Sequence, residues 1–472
     1  MSQPKPAHAD PAPLIPRLNL ADSTLLIMGG MIGSGIFIVS ADIARLVQSP
    51  GLLLLVWALT AVITVFGALT YGELAAMMPK AGGQYVYLKE AFGPLTGFLY
   101  GWTLFAVIQT GTIAAVAVAF ARFAGVFFPG ITTSNKVLQL GWFSISTEQV
   151  VAIAVIISLT AFNFRSVKTG ALLNNVLTIS KVGSLLLLIA LGFSAGWINP
   201  NLGDWSHFTP TWPDVWTIAL FGTLSAAMVG SLFSADAWNN ITFTAGEVMN
   251  PKRNLPLSLA LGTGSVTLIY LIANVAYLYV LPIQQIGAAP SDRVGTLLME
   301  TVIGPWGLYL MAIMVMISTF GCVNAATLAG GRVYYTMAND GVFFSQAGKL
   351  NRNGVPANAL AFQGAWTVLL TLSGSYNDLL TYVIFAVLLF YILTAASVFV
   401  FRRTRPDAER PYRAYGYPWI PAVYIVLSVI ICVNLVLEPA SRSQSLWGLL
   451  IVLLGVPLYY VAVRLRGPQA PS

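Results

Sequence analysis

The chain has 472 residues, of which 57% are hydrophobic and only 9% charged, against roughly 25% charged in a soluble domain; its mean hydropathy is +0.76. That composition excludes a soluble globular protein and describes an integral membrane protein. Two histidines (His8, His207) and two cysteines (Cys322, Cys432) are too few for a histidine-rich metal site or a disulfide framework, and the net charge is +7.

The first stretch, "MSQPKPAHADPAPLIPRLNL", is polar and proline-rich and lacks the compact apolar core and cleavage site of a signal peptide. It is expected to be a cytosolic tail over 1–18. A spanning helix takes about 20 mostly apolar residues. On that basis the chain predicts twelve transmembrane helices, at 20–46, 50–78, 94–128, 147–164, 169–196, 214–245, 255–283, 305–338, 357–374, 376–401, 418–438 and 444–465. With the N-terminus in the cytoplasm, eighteen lysines and arginines fall inside, five outside (Arg45, Arg122, Lys136, Arg293, Arg442) and Lys181 within a span. The positive-inside rule therefore predicts a multi-pass protein of the cell membrane with both termini cytoplasmic. Anionic lipid answers the excess positive charge, and no nucleic-acid partner is implied.

The first span holds "LLIMGGMIGSGIFIVSA", residues 25 to 41, with four glycines and a serine between Gly29 and Gly35. In hydrocarbon an unsatisfied backbone group costs several kcal/mol, so irregular backbone survives there only when buried in protein or lining a cavity. Freed amides around Ser34, Gly35 and Ile36, at the positive end of the following half-helix, would suit a carboxylate. Glycines in membrane helices also serve close packing, as Gly93, Gly97 and Gly101 of "GPLTGFLYG" are read to do. What separates the two readings is a second interruption, "FSADAWNN" at 233–240 in the sixth span. Carbonyls freed there near Phe233, Ser234 and Asp236 would accept from an ammonium group, so the two breaks together describe a receptor for a zwitterion.

Between and after the breaks lie "PKAGGQYVYLKEAFG" (79–93), read as a short cytoplasmic helix along the membrane, "AGEVMNPKRNLP" (245–256), an amphipathic connector, and the charged linker "FRRTRPDAERPYRAYGYP" (401–418). Both breaks fall in the first helix of a set of five. Paired interruptions of this kind point to an inverted repeat with substrate at the midplane. The expected fold is an all-α membrane protein: a tail at 1–18, five-helix repeats at 19–197 and 198–402, a linker at 403–417, and two further helices with the C-terminal tail at 418–472.

"GGMIGSGIF", "PKAGGQYVYLKEAFG" and "FSADAWNN…AGEVMNPKRNLP" resemble the first helix, first cytoplasmic loop and sixth helix of the amino acid–polyamine–organocation transporters, in the L-type amino acid transporter branch. The likeness runs from about residue 18 to 340. It implies a sodium-independent amino acid transporter, working by alternating access as an exchanger or proton-coupled carrier, with neutral L-amino acids as the leading substrates and cationic ones as the alternative. The implied carboxylate site is Gly33, Ser34 and Gly35, flanked by Met31, Ile32 and Ile36. The unwound helix 6 falls on Phe233, Ser234, Ala235, Asp236 and Ala237, with Phe233 where the family has an aromatic lid. Ala237 stands where the branch usually has glycine, which narrows the space near the substrate.

Lys181, in "TISKVGSLLLL", matches the family lysine that stands between helices 1 and 8 in place of sodium. An intramembrane lysine is functional by default, and unlike arginine it can take up and release a proton. Asp236 is open to two readings, a structural pair with another polar group or an attractor for a cationic side chain. Asn239 and Asn324 are candidates for freed backbone or ligand, Glu73 and Glu247 for gate or loop anchors, and Trp238 for packing. No cofactor or metal is expected. No covalent heavy subunit is expected either, because the loop between helices 3 and 4 has no cysteine. An amino-acid-gated channel or sensor is the competing class; an enzyme is not expected, since no paired carboxylates or Ser-His constellation lie within a span.

Overall fold

The computed structural model describes residues 18–465 apart from 80–81, 142, 165–167, 214–215, 353 and 374–375. The expected tail up to Arg17, and Lys80, Arg165 and Arg466, lie outside the described residues. Helices cover all twelve predicted stretches. The first stretch is α1 (Leu20–Met31) and α2 (Gly35–Val47), followed by α3 (Pro50–Met77), α4 (Gln84–Phe92), α5 (Pro94–Thr103), α6 (Gln109–Ala124), α7 (Thr147–Asn163), α8 (Lys168–Ile198) and α9 (Ile218–Ser234). Then come α10 (Pro251–Val280), the short α11 (Ile283–Gly287) and α12 (Val294–Ile303), α13 (Pro305–Asn339), α14 (Ala357–Ser373), α15 (Tyr376–Thr404), α16 (Trp419–Leu437) and α17 (Pro439–Leu465).

Among the described residues nine helices are long and apolar enough to cross a membrane, and the bent pair α1 and α2 makes ten. The difference from twelve lies in α7 and α14, each 17 residues, at the short limit for a crossing.

Local chemistry sets the helix ends. Asn19 Oδ1 accepts from the Asp22 amide at 2.9 Å while Asp22 accepts from the Asn19 amide, a reciprocal cap on α1. Ser146 and Gln149 do the same for α7. Proline opens α3, α5, α10 and α13, where its missing N–H is harmless. Two features lack a sequence forewarning. Leu104–Ile108 between α5 and α6 is a π-helical segment, and the loop before α7 holds a hairpin of β1 (Lys136–Leu140) and β2 (Phe143–Ser146).

The packing brings the two interrupted helices together. α2 lies along α9, and α1 lies along the 3-10 segment Trp238–Glu247 that follows the second break. α10 braces α1 and α3; α16 and α17 pack on α15. α4 forms as expected, with Tyr85 and Lys89 donating to Asp340, just past the end of α13, each at 2.7 Å.

Ion pairs tie both ends of the bundle. At the end carrying Leu18, whose backbone pairs with Val248, Arg332 meets Glu247 at 3.2 Å. Glu73, 1% exposed, there accepts two bonds from Arg402 at 3.0 and 2.7 Å and one from the Ala414 amide at 2.7 Å. Glu73 thus anchors the linker to α3 and α15. Breaking such a buried pair from one side leaves an uncompensated charge worth about 3–5 kcal/mol. At the opposite end Asp292 bridges Arg45 of α2 at 2.7 Å and Arg122 of α6 at 3.1 Å, and Arg122 also reaches Glu148 at 3.3 Å.

Candidate functional site

The break in helix 1 occupies Ile32, Gly33 and Ser34, and the half-helices on either side are bent by 43°. Its carbonyls are met by side chains from three other helices. Lys181 Nζ of α8 donates to Gly29 O at 2.9 Å. Tyr270 of α10 donates to Met31 O at 2.8 Å and lies 3.2 Å from Ser234 O, so one hydroxyl spans both breaks. Ser318 and Cys322 of α13 approach Ile32 O at 3.3 and 3.4 Å, and Tyr277 donates to Ile36 O at 3.2 Å.

The donors fare differently. No acceptor among the described residues meets the amides of Gly33, Ser34 and Ile36, and the Ser34 hydroxyl, in a residue 1% exposed, is also unpaired. A break whose Met31 and Ile32 carbonyls are met by side chains while its amides, at a helix N-terminus, are unpaired is arranged for an anion.

The second break occupies Ala235, Asp236 and Ala237, between α9 and the 3-10 segment. Ala237 sits at φ 68°, a left-handed conformation that costs a residue with a Cβ about 1–2 kcal/mol. Phe233 O accepts from the Asp236 amide at 3.2 Å and Ser234 Oγ turns back to Gly230 O at 2.7 Å. Carbonyl oxygens carry two lone pairs, so those of Phe233 and Ser234 can still accept. The breaks touch: a Cβ built on Gly35 would collide with the Ser234 hydroxyl, and one on Gly30 would stand 3.5 Å from Ala237 O.

Lys181 is 3% exposed. Besides Gly29 O it contacts Cys322 Sγ at 3.0 Å, so it links α8 to both α1 and α13. Asp236 Oδ1 accepts from the Tyr391 hydroxyl of α15 at 2.6 Å. Asn239 donates to Gln84 of α4 at 3.0 Å, and Asn324 accepts from Asn163 of α7 at 2.9 Å; both side chains brace neighbouring helices. Trp238 is buried with its ring edge-on to Tyr71, centroids 4.8 Å apart. Cys322 and Cys432 are both buried free thiols.

Sequence reasoning missed Tyr270, Tyr277, Ser318 and Cys322. A signal existed for the tyrosines: Tyr270, Asn274 and Tyr277 recur on one face of an apolar helix. A groove of about 530 Å³ elsewhere is lined by apolar side chains alone, among them Phe120, Phe127 and Phe320, and offers nothing to orient a zwitterion.

The amino acid permease profile matches residues 18–463, spanning both breaks and the lysine. The chain belongs to the amino acid permease family. The permease is 29% identical to the mouse b(0,+)-type amino acid transporter 1 over 94% of its own length and 88% of the relative's. To the human large neutral amino acids transporter small subunit 2 it is 31% identical, over 94% of its own length and 80% of the relative's. These relatives agree with the resemblance to the L-type branch, and the permease is a multi-pass membrane transporter.

Proposed function

We propose that this permease carries L-amino acids across the cell membrane without sodium, neutral ones first, by alternating access as an exchanger or proton-coupled carrier. The observation that carries this reading is the asymmetry of the first break, where carbonyls are braced by side chains and amides are left for an anion. The substrate carboxylate lies on the amides of Gly33, Ser34 and Ile36 and the Ser34 hydroxyl, with Met31, Ile32 and Gly35 shaping that wall. Its ammonium lies toward the carbonyls of Phe233 and Ser234, with Phe233 as lid and Ala235, Asp236, Ala237 and Asn239 forming the opposite wall.

Lys181 supplies a tethered cation between α1 and α13, which makes a sodium ion unnecessary there. Asn324, paired with Asn163, acts on the site from behind rather than by contact. The five-helix repeats at 19–197 and 198–402 form the moving machinery, with both termini cytoplasmic, 403–417 as cytosolic linker and 418–472 outside the repeat. Opening toward one side parts Arg332 from Glu247, and opening toward the other parts Asp292 from Arg45 or Arg122. One relative is named as a small subunit, but the loop holding β1 and β2 has no cysteine, so no covalent heavy subunit is proposed.

A thermal-shift panel of the twenty amino acids on the purified permease tests the site, because a ligand that binds the folded state raises its melting temperature. Stabilisation by L-amino acids and not by their decarboxylated amines is the expected result. Equal stabilisation by both would remove the carboxylate from the site.

A further inference from the structure

The substrate side chain has its own determinants, on helices that the two breaks do not include, and their role rests on the amino acid site proposed at those breaks. Behind the second break is a cavity of about 20 Å³, lined by Ala235, Asp236 and Trp238 together with Thr64 of α3, Tyr391 of α15 and Tyr424 of α16. That is little more than the roughly 10–15 Å³ a single water requires. Among the described residues Asp236 is the only charged one in its lining, and the Tyr391 hydroxyl already holds that carboxylate at 2.6 Å.

Tyr391 is not free to swing away. Its ring lies edge-on to Tyr71 with centroids 5.6 Å apart, and against Trp238 at 5.2 Å. Tyr424 enters from the appended helix and is 1% exposed. It fits because residue 67 is glycine: a Cβ there would stand 2.9 Å from the Tyr424 ring and 3.2 Å from Trp238.

A lysine or arginine side chain would need room for a long stem, which the tyrosines take up, and would have to share the Asp236 carboxylate with the Tyr391 hydroxyl. A branched aliphatic side chain lacks the room. A hydrogen, methyl or hydroxymethyl group needs neither. We infer that Tyr391 and Tyr424 are specificity-determining residues that restrict the permease to amino acids with small uncharged side chains. The pocket disfavours cations by leaving no room for a long stem and by making them compete with Tyr391 for the one carboxylate, so specificity comes from what is excluded as much as from what is bound.

The test is exchange of labelled alanine in proteoliposomes against unlabelled alanine, serine, leucine, lysine and arginine. In the wild type, alanine and serine should compete at least about tenfold better than the others, the lower end of what one group in a pocket is worth. Tyr391→Phe keeps the ring and removes the bond to Asp236, so the ratio of lysine to alanine competition should rise about tenfold. Tyr424→Ala opens the cavity and should raise the leucine to alanine ratio instead.

Wild-type exchange of lysine, arginine or leucine equal to that of alanine overturns the assignment without any variant. So does a Tyr391→Phe protein, folded by its melting curve, whose lysine to alanine ratio is unchanged. A folded wild type that exchanges no amino acid at all would refute the amino acid site itself, a separate outcome.

Discussion

Lys181→Ala should lower amino acid exchange about ten- to a hundred-fold. The ammonium donates to Gly29 O and contacts Cys322 Sγ, and a hydrogen bond to a charged group is worth about 1.5–3 kcal/mol, with each 1.36 kcal/mol a factor of ten. Its loss unties α8 from α1 and leaves the buried Gly29 carbonyl with only the weak Cys322 thiol, at 3.7 Å. Binding should weaken less than transport, because the unpaired amides at 33, 34 and 36 are untouched. Lys181→Arg separates charge from proton chemistry. The guanidinium stays charged, cannot release a proton, and presents a planar fork where a compact ammonium sat. If the lysine carries the coupled proton, the arginine form loses acid-stimulated net uptake and keeps part of its exchange. If the lysine only braces α1, both activities fall in proportion in both variants, and wild-type uptake depends little on pH. Wild-type exchange rates in Lys181→Ala would remove the lysine from the mechanism.

The second large effect is expected at Gly35. A single Cβ there collides with the Ser234 hydroxyl and stands 3.0 Å from Ser234 Cα, so any side chain wedges the broken helices apart at their closest approach. Gly35→Val should abolish binding while the protein still melts cooperatively; overpacking of this kind costs about 1–3 kcal/mol, well inside the stability of a large helical bundle. Gly33 is the control within the same motif. A Cβ at that position meets only Cys322 Sγ at 3.5 Å, an ordinary contact, so Gly33→Ala should keep most of its affinity. Uptake kinetics beside melting curves for the two variants decide the point, and equal losses at 33 and 35 would show that the close approach of the breaks is not what the motif protects.

The two breaks were legible because glycines, a serine and an aspartate interrupt apolar runs, and hydrocarbon tolerates such interruptions only in a cavity. Lys181 was legible for the same reason. Their partners were not. Tyr391 lies 155 positions from Asp236, and no local period reveals which helix supplies a donor. The close contact at Gly35 is with Ser234 as well as with the space expected for a ligand, which only the packing of α2 on α9 exposes. The π-helical segment Leu104–Ile108 reads LFAVI, apolar and free of any breaker. The hairpin before α7 sits in a loop whose short alternating strands were obscured by the glycine, proline and polar residues around them. The helices α7 and α14, each 17 residues, come within one residue of the stretches expected from hydropathy and stand at the short limit for a crossing.

The central claim, a sodium-independent amino acid carrier built on the two breaks and Lys181, is tested most directly by counterflow. Purified protein is reconstituted in proteoliposomes loaded with unlabelled alanine or with buffer alone, and the trapping of external labelled alanine is followed with sodium and with choline in its place. Transient accumulation above the external level only in preloaded vesicles, equal in both salts, is the predicted result. Accumulation that requires sodium, or flux that is independent of preloading, would contradict it.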